Sequence, residues 1–421
     1  MTADDAHRAI DAVWRLESAK LIAGLTRMTG DVGTAEDLAQ DALVAALEKW
    51  PESGIPDNPG AWLMATAKHR AIDMFRRGKL LERKHVELDH ELRAGEESPE
   101  HRLDAALDDH VGDDLLRLIF TTCHPVLSTE ARVALTLRLL GGLTTDEIAR
   151  AFLVPEATIA QRIVRAKRTL REARVPFEVP PAGPALAARL SSVLDVLYLI
   201  FNEGYSATAG DEWVRPALCE DALRLGRILA ELAPADPEVH GLVALMEIQA
   251  SRLNARVGPA GEPILLLDQD RARWDQLLVR RGLAALARAE QLAGALGPFA
   301  LQGAIAACHA RARAAEDTDW TRITALYDAL AQLTQSPVVE LNRAVAYSMA
   351  FGPAAGLEIV DTLTADAALD SYHLLPSVRG DFLAKLGRFG EARAELERAA
   401  SLTRNTRERT LLLERAKKLG T

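Results

Sequence analysis

LTTDEIARAFLVPEATIAQRIVRAKR, residues 143–168, reads as two short helices joined by a tight turn. Thr144 and Glu147 form a capping box, in which hydroxyl and carboxylate each satisfy a free amide at a helix start. Ile148, Ala149 and Phe152 can then face inward, and Ala149 is small where a second helix must cross closely. Leu153 and Val154 make the turn, and Pro155 suits the first turn of the next helix. There Ile159, Ile163 and Ala166 form an inner stripe, leaving Thr158, Gln161, Arg162 and Arg165 outside. That outer set fits a DNA major groove: Arg bonds both acceptors of guanine, Gln pairs with adenine, and Thr meets a thymine methyl or a phosphate. Lys167, Arg168 and Arg171 would lie near backbone phosphates, which add affinity without reading sequence. A basic helical stripe alone reads more readily as a solvated face; the capping box, the tight turn and the outward polar set together favour DNA.

The rest of the 421 residues has the same helical spacing, with Leu, Ala and Arg abundant and β-branched alternation scarce, so the fold class is all-α. Hydrophobic residues make up 48% and charged residues 26%, an ordinary balance for a soluble protein. The net charge of −10 is unevenly spread. Residues 156–174 hold six basic groups against two acidic, whereas residues 82–114 hold twelve acidic against four basic. Three scattered cysteines, Cys123, Cys219 and Cys308, argue for a reducing cytoplasm and against a disulfide framework or a cysteine metal site. The N-terminus reads as no secretory signal, and the apolar runs, such as Val193 to Ile200 with Asp195 inside, read as too short to span a membrane. No nucleophile–base pair, Gly-rich phosphate loop or metal box is evident, so neither an enzyme, a cofactor nor a metal is expected.

Punctuation divides the chain into a helical block 1–81, an acidic linker 82–113, a block 114–175 with the two-helix unit, a Pro-rich linker 176–184 and a helical half 185–421. Four prolines between Val175 and Pro184 remove amide donors and stop helices there. In the first block, TAEDLAQDALVAAL (34–47) starts at a capping Thr34, turns Leu38, Leu43 and Leu47 inward, and shows an acidic outer face of Glu36, Asp37, Gln40 and Asp41. NPGAWLMATAKHRAIDMFRR (58–77) has Asn58 as cap and Pro59 in first position, with Trp62, Leu63, Ala67, Ile72 and Phe75 for the core. Lys68, Arg70, Arg76 and Arg77 leave a basic surface, and Asp73 reads as a structural partner of a neighbouring Arg.

These three motifs, in this order with an acidic linker between, resemble the extracytoplasmic-function (ECF) sigma factors over residues 6–174. The resemblance implies a factor that binds core RNA polymerase, recognises promoter DNA and opens the strands, with no enzymatic activity of its own. It implies that Glu36, Asp37, Gln40 and Asp41 meet the polymerase clamp. It implies that the loop Trp50–Asp57 holds a flipped base of the minus-ten element, with Lys68, His69, Arg70, Arg76 and Arg77 along the nearby backbone. Thr158, Gln161, Arg162 and Arg165 would read the minus-thirty-five element, with Lys167 and Arg168 on phosphates. His69 stands where the family often has Asn, and Pro155 where Ser commonly caps the recognition helix, so that cap must come from elsewhere. A helix-turn-helix regulator that is not a sigma factor is the alternative, but it needs neither first-block motif.

Beyond residue 174 the chain resembles the subgroup with a long tetratricopeptide-like extension. Arg379-Gly380-Asp-Phe-Leu383, Gly387, Ala392, Leu396 and Ala399 have the spacing of a helical hairpin, repeated more weakly at Ala344, Tyr347 and Gly352. Such units bury their faces by stacking, so several are expected. Two stretches look like signatures of that subgroup: LIFNEGYS (199–206) and LLLDQDRARW (265–274). The first is either a helix end with Gly204 in a left-handed cap, or a contact surface carrying Asn202, Glu203 and Tyr205. Asp268 and Asp270 read as helix-start residues rather than metal ligands. The extension is expected to regulate the sigma domains, in place of or beside a separate protein regulator.

Overall fold

The computed structural model describes residues 3–86, 111–152, 154–207, 209–210, 213–259 and 261–419. The fold is all-α, as the helical spacing requires. Two compact units divide the chain, Met1–Val196 and Leu197–Thr421.

In the first unit, α1 (Ala3–Thr29), α2 (Val32–Ser53) and α3 (Pro59–Val86) pack on one another. Their core is built from Ile22, Leu25, Leu38, Ala42, Trp50, Leu63 and Ala67, all buried. Alanine dominates the α2 face (Ala35, Ala39, Ala42, Ala45 and Ala46), which lets neighbouring helices approach closely. The cap of α2 is Asp31, whose Oδ1 accepts from the Thr34 amide at 2.7 Å and its hydroxyl at 2.8 Å. Thr34 therefore donates rather than caps, and the helix begins earlier than its sequence suggested. Asn58 does cap α3, accepting from the Ala61 amide at 3.0 Å. α3 continues to Val86, into the stretch expected as linker; residues 87–110 of that linker lie outside the described residues.

The second half of this unit comprises α4 (Val111–Thr122), α5 (Thr129–Leu139), α6 (Thr145–Phe152) and α7 (Glu156–Glu172). α5 and α6 both pack on α7, and α4 packs on α1. Residues 184–196 of α8 (Pro184–Tyr205) also belong to the first unit. Ser192 Oγ donates to the Cys123 carbonyl at 2.7 Å and Arg189 to the Phe120 carbonyl at 2.8 Å, which carries this unit past the Pro-rich stretch. By length and composition α8 could cross a membrane, contrary to the reading that every apolar run is too short; its most apolar window is 44% buried within the protein.

The second unit is a succession of helices, most of them packed on the next in sequence: α9 (Pro216–Leu232), α10 (Pro237–Ala250), α11 (Gln276–Leu292), α12 (Pro298–Arg311), α13 (Trp320–Thr334), α14 (Pro337–Phe351), α15 (Pro353–Leu363), α16 (Leu374–Lys385), α17 (Phe389–Leu402) and α18 (Thr406–Lys418), except that α12 packs on α10 more closely than on the intervening α11. Such neighbour-to-neighbour packing is how helical repeats bury their faces. The motif around Gly380 is a hairpin of α16 and α17, with Phe382, Leu383, Ala392, Leu396 and Ala399 buried and Gly387 turning the chain at φ +77°. Two short parallel strands, β1 (Ala209–Gly210) and β2 (Arg404–Asn405), pair within this unit.

Candidate nucleic-acid interface

The two-helix unit is set by how its helices begin. The Thr144 amide donates to Glu147 Oε2 at 2.8 Å, and the Glu147 amide donates to Thr144 Oγ1 at 3.1 Å, so the expected capping box forms. It fixes where α6 begins and thus where α7 emerges from the turn. α7 itself has Pro155 at its cap position, with no side-chain hydrogen bond, so no other side chain replaces the expected Ser. Glu156 in its first turn complements the positive end of the helix dipole. Ile159, Ile163, Ala166 and Leu170 are buried, as the inner stripe predicts.

Gln161 and Arg165 are consequently exposed, and Thr158 and Arg162 are half-exposed. Among the described residues none of these four has a side-chain hydrogen bond or an ion pair. Val164 shares their face and is 65% exposed. The sequence reading passed over it, although its place between Gln161 and Arg165 was the available signal. A bare apolar group among polar ones matches a thymine methyl.

Lys167, Arg168 and Arg171 are differently placed. Arg168 is exposed and pairs within its own helix to Glu172 at 2.6 Å. Lys167 and Arg171 turn back towards α2. Lys167 pairs with Glu36, and Arg171 meets Asp31 twice, through Nε and a terminal nitrogen, both at 2.8 Å. The Arg171 guanidinium holds the Asp31 carboxyl well below the usual carboxylate range and is itself raised by it. Two side chains expected on phosphates are thus bound to the first block in this structure.

Glu36 corrects the reading of α2. It is 3% exposed, not part of an outer face. Arg138 Nε of α5 donates to it at 2.7 Å and Gln40 Nε2 at 2.6 Å, besides the Lys167 pair. Two cations and an amide donor compensate the desolvation of one carboxylate. Asp37 and Asp41 are exposed and Gln40 is half-exposed, and Asp41 pairs with Arg70 of α3 at 3.3 Å. A second buried carboxylate, Asp114 of α4, holds Arg27 of α1 and Arg117 at 2.8 Å each.

On α3, His69 and Arg76 are exposed and Lys68 and Arg70 half-exposed; the Arg77 side chain lies outside the described residues. Partial burial and the nearby Arg27 charge lower the Lys68 pKa. Asp73 is exposed. Trp62 packs edge-on against Trp50 at 5.2 Å. Trp50 is 1% exposed and lies inside α2, so it belongs to the core, and of the stretch Trp50–Asp57 expected as a loop only the residues after Ser53 lie outside the helix.

In the second unit, Gly204 lies inside α8 and not in a left-handed cap. A Cβ there would come within 2.8 Å of the Cys219 amide nitrogen, so glycine serves the close crossing of α9. Glu203 is buried and paired with Arg215, Tyr205 is 9% exposed, and Asn202 is exposed; Asn202 thus remains available as an outward contact. Asp270 caps a short 3-10 turn through the Ala272 amide at 2.9 Å. Among the described residues no group of three or more His, Cys, Asp or Glu could hold a metal.

Residues 15–80 match the model of sigma-70 region 2, residues 117–170 that of sigma-70 region 4, and residues 189–290 a family of unknown function (DUF6596). An uncharacterised protein of Rhizobium meliloti is 43% identical over 91% of this chain and 89% of its own length. The ECF RNA polymerase sigma factor SigC of Mycobacterium tuberculosis is 31% identical over 33% of this chain and 70% of its own. The probable ECF sigma factor SigI of the same organism is 28% identical over 44% of this chain and 61% of its own.

Proposed function

The chain belongs to the ECF RNA polymerase sigma factors, and from that premise we propose that it binds core polymerase, reads a two-element promoter and is regulated by its own C-terminal extension. The observation that carries this is the free outer face of α7, with Thr158, Gln161, Arg162 and Arg165 uncommitted, in the same unit as a region 2 fold. In this reading those four residues contact base edges of the minus-thirty-five element, and Val164 meets a thymine methyl. Lys68, His69, Arg70, Arg76 and Arg77 line the minus-ten backbone. Asp37, Gln40 and Asp41 meet basic groups of the polymerase clamp, and Glu36 joins them once its ion pairs open. Lys167 reaches phosphate by the same opening. The factor supplies recognition and strand separation in the cytoplasm; bond-making chemistry is left to the polymerase.

The ion pairs of α7 with α2 support an opening step. While Asp31 and Glu36 hold Arg171 and Lys167, a phosphate must compete with two carboxylates for those cations. The test is to mix the full chain with sigma-free core polymerase and promoter DNA and to follow complex formation. Specific complexes that require both components are expected. DNA binding that ignores the polymerase would return the helix-turn-helix regulator reading. For the extension, a chain ending at Val196 retains Arg189 and Ser192 and hence the first unit's contacts. Unchanged transcription level and inducibility from that chain would refute a regulatory role.

A further inference from the structure

The C-terminal unit buries a set of cations that promoter reading does not use. Rings and guanidinium groups alternate in the order Trp213, Arg256, Tyr205, Arg252, Trp274, Arg271. Arg256 lies 3.8 Å from the Tyr205 ring centre and 5.4 Å from that of Trp213. Arg252 lies 5.5 Å from Tyr205 and 5.6 Å from Trp274, and Arg271 lies 5.1 Å from Trp274. Tyr205 belongs to the first of the two stretches singled out in the sequence of this half, and Arg271 and Trp274 belong to the second. The fold brings both stretches onto one site.

Among the described residues that site has donors in excess of acceptors. Arg252 and Arg256 are 8% and 9% exposed. Among the described residues neither they nor Arg271 has an ion pair with a carboxylate. Arg252 donates to the Tyr205 hydroxyl and the Gln249 side chain; Arg271 donates to the carbonyls of His309 and Ala312 and to Thr318. All of these acceptors are neutral. Among the described residues the Nε of each arginine and the indole nitrogens of Trp213 and Trp274 have no acceptor. Among nearby acids, Glu203 is taken by Arg215, and Asp317 and Glu316 act on Arg271 only at longer range. Stacking on a ring offsets a small part of the desolvation of a buried guanidinium. Burial and the charges of Arg252 and Arg271 also hold the adjacent His309 neutral. Arg271 and Trp213 are half-buried, so the ladder reaches solvent.

We propose that this arginine–aromatic ladder binds a small multivalent oxyanion, a phosphate or polycarboxylate compound. Guanidinium forks grip two oxygens at once, and the indole N–H groups add single donors at fixed directions. The proposal concerns binding and does not depend on whether the extension controls transcription.

The test titrates the full chain with sodium pyrophosphate, and in a second arm with citrate, at constant ionic strength against sodium chloride. Thermal stability and tryptophan fluorescence are followed. A saturable rise in Tm with a fluorescence change that disappears in Trp213→Phe is expected, and the stronger of the two anions assigns the class. Arg256→Met keeps the aliphatic length without the charge and should weaken binding at least tenfold. If that variant fails to fold, Arg271→Met at the solvent edge serves, with a smaller expected loss of about threefold. The proposal is overturned if neither anion acts beyond sodium chloride. It is equally overturned if affinity survives in the folded arginine variant, which would put the anion elsewhere, such as the basic face of α7.

Discussion

Glu36→Gln tests the contact between α2 and α7 while barely changing side-chain shape. In the wild type the carboxylate is 4% exposed and faces Arg138 at 21% and Lys167 at 18% side-chain exposure. Removing one partner of a fully buried pair costs about 3–5 kcal/mol, because the other charge is left uncompensated. Here both cations keep about a fifth of their surface in water, which lowers the expected cost to about 2–3 kcal/mol. At 1.36 kcal/mol per decade this is about a 30- to 150-fold shift from the closed towards the open arrangement. The assay is a distance distribution between spin labels at Val44 and Val164, which are 48% and 65% exposed on α2 and α7. The three native cysteines are buried, which favours labelling at the introduced sites. Glu36→Gln should broaden and lengthen the distribution, and adding Lys167→Met should restore part of the closed population by removing the unpaired cation. An unchanged distribution in folded Glu36→Gln would refute the idea that these ion pairs hold the two blocks together.

Three further outcomes follow from named contacts. Arg162→Ala should weaken promoter binding by about 1–3 kcal/mol at one upstream base pair, measured as Kd on a set of single-base variants; a uniform loss would make Arg162 a phosphate contact. Asp31→Asn keeps a cap but loses the largely exposed ion pair, so it should cost under about 1 kcal/mol in urea unfolding, whereas Asp31→Ala should cost about 1 kcal/mol more. His309 has its pKa lowered to about 4 by burial and by Arg252 and Arg271. The unfolded chain then binds the extra proton, so His309's contribution is full above about pH 6.5 and lost as pH falls towards 4; it amounts to about 3 kcal/mol. His309→Gln should flatten the pH dependence of unfolding between pH 7.5 and 4.5, and an equal slope in both proteins would contradict the assignment.

What the sequence disclosed was local. The capping box of Thr144 and Glu147, the Asn58 cap and the buried stripe of α7 each depend on residues three or four apart, and all appear in the structure. Asp31 and Thr34 are both good caps, and only backbone geometry decides between them. Glu36 was misread because a carboxylate on a helix looks solvated until its partners are known, and Arg138 lies 102 residues away. Gly204 was misread for the same reason: a helix crossing at Cys219 has no local signature. The arginine–aromatic ladder joins residues from four segments between Tyr205 and Trp274, so its excess of donors emerges only in three dimensions.

The central claim is most directly tested by run-off transcription with purified core polymerase on the promoter preceding the protein's own gene. The account predicts a discrete transcript that needs the full chain and falls at least tenfold in a chain with Gln161, Arg162 and Arg165 all changed to Ala. No transcript with active core polymerase and folded protein, or one indifferent to those three residues, would contradict it.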